Sequence, residues 1–175
     1  MKRLRDVVAP GLRLLFVGIN PGLRSAEIGH HFGGLGNPFW RLLHASRLTP
    51  VLLRPEEDAS LLQHGLGITN LCPRPTRSAS ELTAAELAAG ARTLARKVAR
   101  LRPCTLALVG ISLYPRVFPH GRASGPGPKA ERIASVPVFV LPNPSGLNAS
   151  FPGFRHKLIW FEALRRWLGE HNTTR

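Results

Sequence analysis

Apolar and polar positions along the chain follow two periods in turn. Residues 12–19, LRLLFVGI, are almost continuously apolar and rich in branched side chains, as in a strand buried on both faces. The run breaks at Asn20-Pro21-Gly22. Three further runs of this type lie at 66–71 (LGITNL), 105–110 (TLALVG) and 136–141 (VPVFVL), and the last runs into Pro142-Asn143-Pro144. Between the strands the period lengthens to that of a helix. Asn37-Pro38 opens one well, with Asn as N-cap and Pro at the first helical position, and it carries FWRLLHAS. A shorter helix is expected from Pro55 to near Gly65. Thr83 with Glu86 forms a capping box for a helix that runs to the stop at Pro103, weakened a little by Gly90. A closing helix is expected from Phe154 to about Gly169, with Leu158, Phe161, Leu164 or Arg165, and Leu168 along one face. A long Gly-rich stretch, GLRSAEIGHHFGGLG, follows the first strand and looks like loop around Phe32; the segment CPRPTRSAS and residues 120–132 are expected as loops, and ISLYPRVF as a turn or short helix.

The order strand, helix, strand, helix, strand, strand, helix predicts an α/β sandwich around a mainly parallel sheet. No repeat, linker or charge block divides the chain, so residues 1–175 are expected to form one domain. Open parallel sheets bind ligands beyond the carboxyl ends of their strands. Asn20 and Asn143 each follow such an end, which puts both Asn-Pro turns on one rim and makes that rim the candidate site.

Charge narrows the partner. Lys plus Arg number 24 against 10 for Asp plus Glu, giving a formal charge of +14 and a pI near 11.6. Self-repulsion opposes compaction, whereas a polyanion, most commonly nucleic acid, exploits such a surface. The alternative is a solvated basic surface produced by an Arg-rich composition. Two cysteines, Cys72 and Cys104, cannot by themselves make a disulfide framework, a four-thiolate zinc site or an iron–sulfur cluster. Cys104 begins a strand and is expected in the core; Cys72 follows one and is expected to be accessible. MKRLRDVVAPG leads into no secretory h-region, and no stretch reads as a bilayer span. The expectation is a soluble, intracellular protein with no membrane partner.

The motifs GINPGL, GHHF followed by GNPFW, GITNL followed by RPT, and LPNPSGL occur in that order. Together they resemble the mismatch-specific uracil-DNA glycosylase and thymine-DNA glycosylase family over nearly the whole chain. The resemblance implies a three-layer α/β/α sandwich of the uracil-DNA glycosylase type. It implies a monofunctional, cofactor-free hydrolase of the base–sugar bond, acting on double-stranded DNA that carries uracil, or in some members thymine, opposite guanine and leaving an abasic site. It also implies a monomer in bacterial cytoplasm, at the nucleoid. Such an enzyme must extrude the base, steady an oxocarbenium-like sugar and an anionic base, and hold one water near the sugar carbon.

By this resemblance Asn20 is the catalytic residue. An amide is no strong base, but its carbonyl can orient a water, so the enzyme should be slow beside relatives with a carboxylate there. On residue type alone, Asn20 could equally cap its own Pro-Gly turn. Phe32 matches the aromatic that stacks on the flipped base, against a reading as a core Phe. His31, after His30, either bonds near the site or is solvated. Backbone N–H groups near Ile19 and Phe32 would meet the base oxygens. Ser25 falls at the base's C5 edge, where side-chain size bears on a thymine methyl. Asn70 sits in the GITNL strand, where some relatives carry Lys. Asn143 stands where other uracil glycosylases carry His, and either contacts the base or shapes the turn. Ser145, Gly146, Leu147 and Asn148 fit the insertion loop, with Leu147 as the wedge that fills the vacated stack. The family's Ser-Arg after this loop is replaced by Asn148-Ala149, so one positive group is missing. Arg155, His156 and Lys157 read first as a solvated helix end, and ARKVARLR as a solvated helix face. No metal-ligand cluster is evident. Two other readings compete: a non-catalytic nucleic-acid-binding module on the same fold, and a different α/β hydrolase acting on nucleotides. The latter lacks a phosphate loop with Lys or clustered carboxylates.

Overall fold

A computed structural model describes residues 4–145 and 150–172. Strands β1 (Leu14–Gly18), β2 (Leu66–Asn70), β3 (Leu106–Val109), β4 (Gly127–Ile133) and β5 (Val136–Leu141) form one sheet in the order β2-β1-β3-β5-β4. All neighbouring pairs are parallel except β4 with β5. The helices are α1 (Leu23–Ile28), α2 (Phe39–Ala45), α3 (Ala84–Leu101), α4 (Tyr114–Val117) and α5 (Phe154–Asn172), and a 3-10 stretch spans Pro55–His64.

The continuous apolar runs follow from burial on both sheet faces. Side chains alternate across a strand, so Leu14 and Phe16 face one layer while Leu15 and Val17 face the other. The first layer packs Phe39, Leu42 and Leu43 of α2, Leu61 of the 3-10 stretch, and Phe161, Leu164 and Leu168 of α5. The second packs Leu87, Leu94 and Val98 of α3 with Leu113 and Tyr114. The result is the three-layer sandwich expected from the sequence.

The helix signals divide. The Thr83–Glu86 box forms: Glu86 N–H donates to Thr83 Oγ1 at 3.2 Å and Thr83 N–H donates to the Glu86 carboxylate at 2.8 Å. α2 begins at Phe39, with Asn37 Oδ1 accepting the Phe39 N–H at 3.0 Å, so the Asn caps one turn residue upstream of Pro38. The segment opening at Pro55 is 3-10 rather than α-helical and stops at Gly65 in the left-handed region, φ 68°. The Gly-rich stretch opens with the short α1.

Two expectations are corrected. Residues 127–133 belong to an edge strand, not a loop. Pro128, Lys129 and Glu131 disguise it, yet Pro and charge are what an edge strand tolerates. The β4–β5 hairpin turns on Ala134 (φ 47°) and Ser135 (φ 68°), residues that carry none of the Asn-Gly signal such a turn usually shows. The cysteines also exchange places: Cys72 is buried at 1% exposure, while Cys104 is only half-buried.

Gly90 has a packing reason. A Cβ at Gly90 would stand 2.5 Å from the carbonyl oxygen of Leu71, so α3 presses on the chain leaving β2 through its lack of a side chain. Gly90→Ala should destabilise the fold by about 1–2 kcal/mol, overpacking outweighing the gain in helix propensity. The check is a fall in urea midpoint at unchanged slope; a rise would mean that the Leu71 backbone yields freely.

Candidate active site

Because β1, β2, β3 and β5 are parallel, the segments leaving Gly18, Asn70, Val109 and Leu141 emerge on one rim. The first two stay zipped beyond the sheet. Leu71 N–H donates to Gly18 O, Cys72 N–H to Ile19 O and Thr76 N–H to Pro21 O. This lays residues 19–22 beside residues 71–76 and forms one wall of a cleft of about 340 Å³. Gly18 lets the Asn70 side chain lie close: a Cβ there would stand 2.5 Å from Asn70 Oδ1, and the amide would have to move aside.

The cleft is lined by Ile19, Asn20, Ser25, His31, Phe32, Asn70, Asn143 and Ser145, among others. The structure thus gathers these eight expected site residues around one space. Gly146, Leu147 and Asn148 lie outside the described residues.

Asn20 is held by its nitrogen. Nδ2 donates to Thr76 Oγ1 at 2.7 Å and to Arg74 O at 2.9 Å, with Pro21 O at 3.3 Å. A carbonyl only accepts, and Thr76 Oγ1 spends its own hydrogen on Ser78 O at 2.8 Å, so it too must accept from Asn20. These partners fix which end of the amide is nitrogen. Both N–H bonds are committed, and Oδ1 is the side-chain atom left to meet a ligand or water. The turn-capping reading and the catalytic one are therefore compatible: the Pro21 contact belongs to the turn, and the stronger bonds tie the amide to the neighbouring loop.

Arg74 is anchored in turn. Its guanidinium meets Glu86 at 2.6 and 3.0 Å and the Glu81 carbonyl at 2.8 Å. The α3 capping box thus extends through Arg74 to the carbonyl that Asn20 uses. Neither Arg74 nor Thr76 was assigned a role from the sequence. The signal was the RPT motif, which names the residues but not their contacts.

Phe32 takes a left-handed backbone, φ 49°, and its ring lies on Phe39 with centroids 3.8 Å apart and planes at 17°. Phe39 is itself wedged edge-on against Phe16, Trp40 and Phe161. Phe32 is half-buried and lines the cleft, so it offers a flat, stiffly backed surface suited to a planar heterocycle. Its loop is braced by buried Ser25, whose Oγ accepts the Gly33 N–H at 2.9 Å.

His31 is not solvated; it is 2% exposed. Its N–H donates to Asp58 Oδ2 at 3.1 Å, and Nε2 lies 2.8 Å from Arg5 O, so Nε2 carries the hydrogen. Burial pushes its pKa down, opposed by the Arg5 carbonyl and the Asp58 and Asp6 carboxylates. His30 lies 3.3 Å from Asp58 without hydrogen-bond alignment. On the far lip, Asn143 Oδ1 accepts the Ser145 N–H at 3.0 Å, which shapes the turn. Lys157 is the largest surprise: it is buried, and its Nζ donates to Pro144 O and Ser145 O at 3.0 Å each. Arg24 and Arg77 stand at the cleft; Arg24 pairs with Glu27, while none of the described ion pairs includes Arg77. No group of three or more His, Cys, Asp or Glu among the described residues could hold a metal ion.

The chain of support from α3 to Asn20 has a pH signature. The Arg74 guanidinium, then the Thr83 N–H, hold the Glu86 carboxyl at about 2 against an ordinary 4.5. A carboxyl held low in the folded chain stabilises it above pH 4.5, and that contribution is lost as pH falls from 4.5 towards 2. Glu86→Gln should flatten the dependence of melting temperature on pH across that window. Melting curves at stepped pH test it; parallel curves for the two proteins would mean that the Arg74–Glu86 contact carries no stability.

The arrangement is a rim cleft with a stacking ring, an amide of fixed polarity and cationic neighbours, set in a strongly basic chain. Such a cleft can seat a planar base and hold water beside the bond that joins it to sugar. The sequence matches the Uracil DNA glycosylase superfamily over residues 5–165. The match spans the sheet, both helical layers and every described residue of the cleft but Leu4, and the chain belongs to the uracil DNA glycosylase superfamily, whose members are hydrolases acting on DNA.

Proposed function

We propose that the chain is a mismatch-specific glycosylase that extrudes uracil paired with guanine from duplex DNA and hydrolyses its bond to the sugar, leaving an abasic site. Residues 1–175 act as a single monomeric domain in this reading. The observation that carries it is the tethered amide of Asn20 in the same cleft as the Phe32 ring.

Phe32 receives the flipped base on a ring already backed by Phe39. As the base–sugar bond breaks, charge grows on the base oxygens, and N–H groups near Ile19 and Phe32 meet it. Asn20 Oδ1 fixes a water for attack on the sugar carbon. The amide contributes position rather than basicity, worth part of the effect of holding two reactants together. Uracil opposite guanine is the favoured substrate because a mispaired base costs less to unstack. Thymine is the second candidate, since Ser25 is small at the edge where a methyl would sit. Leu147 fills the vacated stack from the insertion loop. Arg77 meets backbone phosphate at the cleft mouth.

A glycosylase assay on labelled duplexes decides between this reading and a non-catalytic DNA-binding module. It compares uracil opposite guanine, uracil opposite adenine, thymine opposite guanine, and single strands. Abasic product is expected from uracil opposite guanine. Asn20→Ala should lower the single-turnover rate about 100-fold or more. Asn20→Asp should not rescue it, because Arg74 O and Thr76 Oγ1 need N–H donors and would face a carboxylate instead. Thr76→Val should lose activity because it removes an acceptor that fixes the Asn20 amide, with little change in DNA affinity. Folded protein that binds the duplex yet releases no uracil would establish the binding-module reading.

Leu147→Ala should weaken retention of the abasic product while sparing thermal stability. Electrophoretic binding to abasic duplex and a melting curve read the two effects; a large loss of stability would place Leu147 in the core instead.

A further inference from the structure

The last helix opens against its own electrostatics. The first turn of α5 runs Phe154, Arg155, His156, Lys157 and holds no acidic residue, although the amino end of a helix favours anions. Lys157 is moreover 2% exposed, and none of the described ion pairs includes it. Burying an ammonium without a carboxylate is costly, and an apolar side chain of similar length would fill the space at less cost. Stability alone does not account for a lysine here.

Its contacts supply the reason. Nζ donates to the carbonyls of Pro144 and Ser145, consecutive residues of the segment leaving β5. Asn143 and Ser145 of that segment line the cleft opposite the Asn20 wall. The turn is already drawn together by Asn143 Oδ1 on the Ser145 N–H. Pro142 and Pro144 lack N–H donors, so this stretch has few backbone hydrogen bonds of its own to define it. An ammonium with three donors can hold two adjacent carbonyls at once, which no apolar side chain of that length can do.

The geometry points to Lys157 as a positioning residue: its ammonium fixes the backbone at residues 144–145 so that Asn143 and Ser145 stand ready at the cleft mouth for a duplex with an extruded nucleotide. The inference rests on the glycosylase reading for its effect on catalysis, but not for its effect on the lip. Conflict between a local rule and the observed residue is commonest where a site is being held in shape.

The test uses the full chain as wild type, Lys157→Met and Lys157→Arg. Three quantities are read: single-turnover excision of uracil opposite guanine, hydrogen exchange of the Asn143 and Ser145 amides, and melting temperature. Lys157→Met should slow excision about tenfold or more. It should speed exchange at Asn143 and Ser145 while exchange in β1 and at residues 71–76 stays as in wild type. Lys157→Arg, which keeps charge and donors, should restore part of both effects. Wild-type excision and wild-type lip exchange in Lys157→Met would overturn the inference. So would exchange that rises uniformly through the sheet, which would make Lys157 a general support of the fold. If wild type itself leaves uracil in place, the glycosylase reading falls, and the exchange pattern alone decides whether Lys157 holds the lip.

Discussion

The site depends on an amide that is allowed only one orientation. Asn20 meets acceptors through its nitrogen, and each of those acceptors is unable to donate back: two carbonyls, and a hydroxyl whose hydrogen is already spent on Ser78. A free asparagine would turn over at small cost and present oxygen and nitrogen in equal measure. Here a flip would bring oxygen against oxygen, with loss of two hydrogen bonds and repulsion in their place. Fixed polarity is what converts a weak group into a useful one.

That fixity is inherited from the fold. Parallel pairing of β1 and β2 continues past the sheet as the loops zip together, which brings Arg74 and Thr76 to Asn20. The α3 capping box passes on its Glu86 to Arg74, so a helix terminus stiffens a loop it does not belong to. On the opposite lip Lys157 reaches from α5 to residues 144 and 145. Each wall of the cleft is thus held by a long basic side chain acting on carbonyls or on a carboxylate. The chain's basicity is not only a surface for polyanions; part of it is structural.

Much of this was legible in the sequence, and the exceptions have physical causes. Buried parallel strands announce themselves as unbroken apolar runs, and Asn-Pro turns at two such ends located the rim. The edge strand β4 did not, because an edge can carry Pro and charge and because Ala134-Ser135 makes its turn without the usual residues. Lys157 was read as solvated because a basic triplet at a helix start nearly always is. A buried cation satisfied by carbonyls leaves no partner of opposite sign to find in the sequence. Thr76 sits in a loop of Pro, Arg and Ser, where one hydroxyl among several has no periodic mark. Ile19, Ser25, His31, Phe32, Asn70 and Asn143, positions taken from resemblance, line one cleft, while their contacts, such as Ser25 with Gly33, join residues that no sequence pattern links.

The most direct measurement of the central constraint is nuclear magnetic resonance of the Asn20 side-chain amide in the free protein. The account predicts two resolved Nδ2 protons with slow solvent exchange, and loss of that protection when Thr76 is replaced by valine. Rapid exchange at the rate of a solvent-exposed asparagine, unchanged by that replacement, would show that the amide rotates freely and would contradict the account.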